Sequence, residues 1–387
     1  MHDLFQRLYH RSILDDVPLS APLALEALPE ASEETKDVWA IFQTLLALSA
    51  PLDPQAPTAV ILAGGKGSRM GEGIKQKALA PIHGQPALLR SLAIYKDFGF
   101  RNILLIVGVG YKDVIQAVQG VDLNIVFLYQ HRQLGTGHAA RLASRWLEYQ
   151  QYEGDILVTM GDKYITPAGL EQLLQSHRDQ QLDLTLTTAA KEAWPDAGRI
   201  VMDNQNHVRA IVEKPDIVQK QLIQDFLNWP EDPIPCPAFL QHALQCWDRE
   251  SKLKKLLGEA FWERLHSTET IRKAEGKLLL KESDPLIAVH DSLRLQAREV
   301  EEQCGLVNVS LYLFKSQALY HSLEQIVSNN AQGELYLTDA VYYLVNNHHT
   351  GAFRVSCSKT PNDYDVMGFN TLEELAQIEN RLPESIK

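Results

Sequence analysis

A chain of 387 residues, 45% of them hydrophobic, has enough apolar surface for one large core or for two to three smaller ones. Its formal net charge of −12 argues against a nucleic-acid or anionic-membrane partner, so any cations that hold phosphate must be local. The four cysteines form no C-x-x-C pair, the N-terminus has early acidic residues and no apolar h-region, and no apolar run reaches the length of a membrane span, which together predict a cytoplasmic chain with reduced thiols. Cys236, His242 and Cys246 have no obvious fourth metal ligand nearby and read as structural residues.

Residues 1–57 read as a helical N-terminal extension, with helical patterns over 4–14 and 33–50 and a proline-bounded linker over 51–57. From Thr58 short apolar runs alternate with amphipathic stretches. Strands are predicted over 59–62, 102–109, 124–129 and 155–160, and helices over 87–98, 112–118 and 137–149. Near-continuous apolar strands separated by helices imply an α/β fold with a mostly parallel mixed sheet covered on both faces, and ligands then sit at the carboxyl ends of the strands. Further strands are predicted over 183–190, 198–201 and 208–213. Residues 216–303 then read as a helical insertion, with helices over 218–229, 239–257 and 293–303. Strand texture resumes over 306–314, followed by helices over 317–327 and 337–346, a strand over 352–357 and a last helix over 372–381. No repeat or low-complexity tract interrupts this order, and no hexapeptide repeats follow the last helix.

The chemistry concentrates in the loop after the first strand, LAGGKGSRM, with Lys75 and Lys77 just beyond it. Glycines let the backbone turn tightly and approach a ligand closely, and successive N–H donors form an anion-binding concavity. A Walker A loop requires G-x-x-x-x-G-K-[ST], and Lys66 is followed by Gly67, so that reading fails. A dinucleotide fingerprint requires G-x-G-x-x-G and an acidic residue after the next strand. Here the spacing from Gly65 is one residue longer and that strand ends in Gly108, Val109 and Gly110.

This loop, together with QHRQLGTGHA (130–139), LVTMGDKYI (157–165), GRI and IVEKP (198–215), NNAQGELYLTD (329–339) and MGFN (367–370), resembles the sugar-1-phosphate nucleotidyltransferases, above all the bacterial N-acetylglucosamine-1-phosphate uridylyltransferases, with the segments in the family's order. The resemblance leaves 1–57 and 216–303 uncovered. It implies a Rossmann-like nucleotidyltransferase fold and attack by the phosphate of N-acetylglucosamine 1-phosphate on the α-phosphorus of UTP, releasing pyrophosphate. Such a step needs positioning and charge neutralisation more than acid–base work. By the same resemblance, 58–215 is the nucleotide-binding part and 304–387 the sugar-binding and metal-completing part, with no acetyltransferase half.

Residue by residue, the resemblance implies catalytic Arg69 and Lys77, with Leu62, Ala63, Gly64, Gly65, Gly67, Gln130, Gly135 and Thr136 around the nucleotide. Gly198, Glu213, Asn308, Tyr336 and Thr338 are implied around the sugar, and Asp162 and Asn370 as oxygen ligands of Mg²⁺. Three departures from the family pattern stand out: Gln76 replaces a proline with one extra residue before Lys77, which leaves Lys75 as a substitute; Lys163 replaces a small apolar residue; and Val309-Ser310 follows Asn308. Singly, the bland alternatives are that Asn370 caps the last helix, Glu213 pairs with Lys214, and Tyr336 is a core ring. The remaining functional alternatives are another acceptor such as glucose 1-phosphate, or a weakly active nucleotide-sugar sensor. Residues 1–57 or 216–303 would then serve as an oligomer or protein-partner surface.

Overall fold

The computed structural model describes residues 33–65, 76–247, 249–291, 293–346 and 353–382. The predicted helix over 4–14, and the site residues Gly67, Arg69 and Lys75, lie outside the described residues. Helix α1 (Glu33–Leu48) leads into β1 (Thr58–Ala63), followed by α2 (Ala87–Asp97), β2 (Asn102–Val107), α3 (Tyr111–Val118), β3 (Asn124–Tyr129), α4 (Thr136–Tyr149), β4 (Asp155–Met160) and α5 (Pro167–Asp179). Next come β5 (Leu184–Ala190), β6 (Arg199–Met202) and β7 (Val208–Val212), and the chain returns after the insertion as β10 (Leu306–Lys315), α12 (Ser316–Gln325), α13 (Asp339–Val345), β11 (Val355–Lys359) and α14 (Leu372–Arg381).

Among the described residues the main sheet has nine strands, ordered β7-β6-β10-β4-β1-β2-β3, with β5 pairing β10 and β11 pairing β5. Strands β4, β1, β2 and β3 run parallel, whereas β10 is antiparallel to β4, β5 and β6. All six residues of β1 are buried. Its alternate side chains feed different cores: Val60 and Leu62 pack under α4, α12 and α13, while Ala59, Ile61 and Ala63 pack under α2, α3 and α5, with Leu45 of α1 added there. A strand apolar on both faces and covered by helices on each is what a parallel α/β sheet requires. The carboxyl ends of β1, β3 and β4 therefore open on one edge, and the site forms there.

The insertion comprises α6 (Lys214–Leu227), α7 (Cys236–Cys246), α8 (Glu250–Leu257), α9 (Glu259–Ser267), α10 (Lys273–Leu279), the hairpin β8 (Leu286–His290) and β9 (Leu293–Gln296), and α11 (Ala297–Gln303). It has its own core, centred on Phe226, Phe239 and Phe261, whose rings meet edge to face at centroid distances of 5.0 to 6.1 Å. Two expectations need correcting. The helix predicted over 239–257 is broken, because Trp247 turns extended at φ −153° and lets Leu253, Leu256 and Leu257 swing back onto the Phe261 core. The helix predicted over 293–303 starts only at Ala297, where Gln296 and Glu299 form a capping box, and the residues before it pair as a strand with β8.

Candidate active site

The first cleft, of about 460 Å³, is lined by the ends of β1 (Leu62, Ala63, Gly64, Gly65), by Gln130, Gln133, Gly135 and Thr136 beyond β3, and by Gly161 and Asp162 beyond β4. Lys77, Ala78 and Glu334 complete it. Close backbone approach decides its shape. A Cβ on Gly64 would stand 2.8 Å from Gln130 Oε1, and one on Gly135, whose φ is +111°, would stand 2.4 Å from the Leu335 carbonyl oxygen. The Gln130 side chain is buried and donates to the Gly135 carbonyl at 3.2 Å, with His138 Nδ1 at 3.0 Å from the same nitrogen. Gln133 Nε2 donates to the Gly64 carbonyl at 2.5 Å. Thr136 accepts the Leu337 N–H at 3.2 Å, and Gly137 N–H donates to Leu335 at 2.7 Å, so the 335–337 stretch is fastened to the start of α4.

At the cleft floor Lys77 joins the two residues expected to hold a metal. Its ammonium pairs with Asp162 Oδ2 and donates to Asn370 Oδ1 at 2.9 Å, with the Phe369 ring 5.7 Å away. A short antiparallel ladder, Lys163–Ile165 against Val366–Gly368, brings Asp162 and Asn370 together across some two hundred residues of sequence. The cap of α14 is Thr371, which accepts the Glu374 N–H at 3.2 Å, so the Asn370 side chain is free to face Lys77. Gln76, the departure from the family pattern, is buried and donates to the Val109 carbonyl at 2.6 Å. It fits against Gly110, where any Cβ would strike its amide, and this contact fixes the turn that aims Lys77 inward. Asp162 Oδ1 is buried without a hydrogen-bond partner among the described residues. A lone carboxylate oxygen beside an amide oxygen fits a hard cation such as Mg²⁺.

A second cleft, of about 400 Å³, lies between β7, the start of α6, the hairpin β8–β9 and α13. Glu213, Asp216, Tyr336, Thr338 and Asp339 face it, with Lys220 and Arg294 on its walls. Lys214 and Arg199 both pair with Glu301, so Glu213 keeps no ion pair among the described residues. Burial raises the Glu213 carboxyl to about 7, with the Thr338 hydroxyl opposing and Asp216 reinforcing the rise. Burial likewise raises Asp216 to about 6, against the opposing Ala331 N–H, and Asp339 to about 8, where Asp216 and Glu213 add to it. Tyr336 Oη is buried without a partner among the described residues, and burial followed by Asp216, Glu213, Glu334 and Asp339 pushes its pKa far upward.

Of the residues expected from sequence, Leu62, Ala63, Gly64, Gly65, Lys77, Gln130, Gly135, Thr136 and Asp162 line the first cleft, and Asn370 touches it through Lys77. Glu213, Tyr336 and Thr338 line the second. Gly198 lines neither, but a Cβ there would stand 3.2 Å from the Glu213 carboxyl, so it makes room for that group. Asn308 also lines neither cleft. Its amide donates to Tyr312 Oη at 2.7 Å and its oxygen accepts the Ser310 N–H at 3.1 Å, inside an irregular stretch of β10 where Ser310 has φ +61°. Gln133, Glu334, Asp216 and Asp339 were missed. Asp216 and Asp339 lay within or beside the motifs already singled out, and an acidic residue three positions after Glu213 at a helix start was the available signal.

A family model for the MobA-like NTP transferase domain matches residues 59–294. Among curated relatives, the bifunctional protein GlmU of Syntrophomonas wolfei is 26% identical over 326 residues, covering 84% of this chain and 53% of the relative. That of Bacillus mycoides is 27% identical over 322 residues, covering 83% and 50%. The chain thus spans about half the length of the curated relatives it matches. Among solved structures, a Bacillus anthracis protein assigned as a glucose-1-phosphate thymidylyltransferase, in complex with sucrose, superposes with a TM-score of 0.52 at 15% identity over 85% of this chain and 97% of that one. A UDP-glucose pyrophosphorylase complexed with UDP-glucose gives 0.50 at 11% identity over 84% and 98%. At such identities the likeness concerns the fold, a mixed central sheet flanked by helices.

Proposed function

Because the chain belongs to the MobA-like NTP transferase family, we propose that it is a sugar-1-phosphate nucleotidyltransferase that joins UTP to N-acetylglucosamine 1-phosphate, with Mg²⁺, and releases pyrophosphate. The observation that carries this reading is the Lys77 ammonium shared by Asp162 and Asn370 at the floor of a glycine-walled cleft. In this scheme 58–215 supplies the nucleotide side, with Gly64, Gly65 and Gly135 giving backbone approach and Gln130 the amide edge for uracil. The 304–387 part supplies Asn370 and, with Glu213, the second cleft for the sugar. Asp162 and Asn370 would hold Mg²⁺, which when bound neutralises charge on the nucleotide phosphates. Lys77 adds a fixed cation where charge builds as the acceptor phosphate approaches the α-phosphorus.

A second acceptor reading, glucose 1-phosphate, is favoured by one feature. The Asn308 amide is spent on Tyr312 and Ser310, so it is not free to hold an acylamino group. Pyrophosphate release from UTP, dTTP, CTP, GTP and ATP, each against a panel of sugar 1-phosphates, tests both. The expected result is fastest turnover with UTP and N-acetylglucosamine 1-phosphate. A higher rate with glucose 1-phosphate would select the second acceptor, and measurable UTP binding without turnover on any pair would reduce the protein to a nucleotide-sugar sensor.

A further inference from the structure

Helix α7 carries His242 and Cys246 at i and i+4, a spacing that sets both side chains on one face, a turn apart. The helix stops there because Trp247 turns extended, which leaves Cys246 exposed on the last turn. Asp225, near the end of α6, meets that face. Its Oδ2 stands 2.7 Å from His242 Nε2, and Cys246 Sγ stands 3.8 Å from the same nitrogen. The three ligand atoms lie within 4.8 Å of one another, the only such group of His, Cys, Asp or Glu side chains among the described residues. Cys236, close to this pair in sequence, is buried and faces Thr268 Oγ1 at 3.6 Å instead.

Two features separate this trio from a surface ion pair with a bystander thiol. The ligands are held from behind: Gln221 donates to the other carboxylate oxygen, Asp225 Oδ1, at 2.7 Å, and the rings of Trp229 and Phe239 stand 5.7 and 6.3 Å from the imidazole. Metal-binding carboxylates and imidazoles depend on such support to keep their lone pairs aimed at one point. The second feature is convergence, since carboxylate and thiol both address Nε2. A Cys-His-Asp relay uses one ring nitrogen for the nucleophile and the other for the carboxylate, so a nucleophilic reading of Cys246 fails.

We propose that Asp225, His242 and Cys246 form a Zn²⁺ site that clamps α6 to α7 within the insertion. Nitrogen, sulfur and oxygen donors together suit this borderline ion, and three protein ligands leave one tetrahedral position for water. A thiolate does not suit Mg²⁺, so the site differs in chemistry from the oxygen pair Asp162 and Asn370. A coordinating thiol is deprotonated, and zinc binding therefore releases the Cys246 proton to solvent. The proton between His242 and Asp225 leaves Nε2, whose lone pair then binds the ion. Helix α6 also carries Asp216 and Lys220 on the wall of the second cleft, so the clamp fixes that helix from its far end. The inference does not depend on the nucleotidyl-transfer reading.

Cobalt and zinc titrations of the full chain, kept reduced with a phosphine, test this. Co²⁺ should bind with a near-ultraviolet thiolate-to-cobalt charge-transfer band, and Zn²⁺ should displace it with a Kd on the order of 1 μM or tighter. Cys246→Ser should abolish the band. His242→Ala and Asp225→Asn should each weaken Zn²⁺ binding by about tenfold or more, and Gln221→Ala by about tenfold. Saturating Zn²⁺ should raise the wild-type Tm by about 4 °C, a shift that Cys246→Ser, altered only at an exposed atom, should lose. Absence of the charge-transfer band, a band that survives Cys246→Ser, or Zn²⁺ affinity unchanged in both His242→Ala and Asp225→Asn would overturn the site. A Tm shift that Cys246→Ser retains would overturn the clamp, because the stabilising ion would then bind elsewhere.

Discussion

The two clefts are built on opposite principles. The first is made of backbone: glycines without a Cβ, carbonyls fastened by Gln130 and Gln133, and Asp162 matched by Lys77. The second is made of side chains held under electrostatic tension, with Glu213, Asp216 and Asp339 raised to about 7, 6 and 8, chiefly by burial, Asp216 adding to the rise at Glu213 and both adding to it at Asp339, around a Tyr336 hydroxyl that no described group satisfies. A backbone cleft gains selectivity from close approach and loses it to any added atom. A tense polar cleft stores a cost in the empty state that a hydroxyl-rich ligand can relieve. The 334–337 stretch connects them, since Glu334 lines the first, Tyr336 the second, and Leu335 touches Gly135 and Gly137 between them.

The largest expected effect lies in the first cleft. Asp162→Ala and Asn370→Ala should each cut Mg²⁺-dependent pyrophosphate release by about 10² to 10³, with an unchanged circular dichroism spectrum, since each removes an oxygen that would hold the Mg²⁺ offsetting the phosphate charge. Unchanged activity in either variant would take that residue out of the metal site and break the contrast between the clefts. A second substitution tests whether close approach governs the first cleft. Gly135→Ala, at φ +111° and against the Leu335 carbonyl, should lower unfolding free energy by about 1–3 kcal/mol and raise the KM for both substrates, because it displaces the stretch both clefts share. Gly65→Ala meets nothing within 4 Å among the described residues and should leave stability within about 0.5 kcal/mol in denaturant titrations. Equal effects at both glycines would show that the first cleft does not depend on tight backbone contact.

Much of this organisation was legible in sequence. Apolar runs placed β3, β4 and α14 to the residue and the other strands of the parallel half to within a residue or two, because burial on both faces leaves an unmistakable pattern. The bland alternatives were settled only by contacts. Thr371 takes the helix cap from Asn370, Glu301 takes Lys214 from Glu213, and Tyr336, a buried ring, also lines the second cleft. Helix α5 was missed although its start signals were present, Thr166 as the cap and Pro167 at the first turn. Strand β9 was read as the start of a helix because Leu293 and Leu295 alternate for too few residues to reveal their period. Gln76 could not be understood from sequence at all, since its partner is the Val109 carbonyl and its fit depends on Gly110, a loop that packs there only in three dimensions.

The smallest expected effect probes the tension in the second cleft. Asp339 binds its proton at about 8 in the folded chain, against about 3.9 for a free aspartate, and Glu213 and Asp216 shift the same way. Between those values the folded state holds protons that the unfolded state has released. This contribution to stability is therefore complete below about pH 4 and is lost as pH rises toward 8. Asp339→Asn removes this ionisation and with it the repulsion that Asp216 and Glu213 exert on the Asp339 carboxylate. The variant should match the wild type in Tm near pH 4 and gain on it steadily up to pH 8. A stability difference that is flat from pH 4 to 8 would mean that water relaxes these carboxylates, and that the second cleft is no more tense than the first.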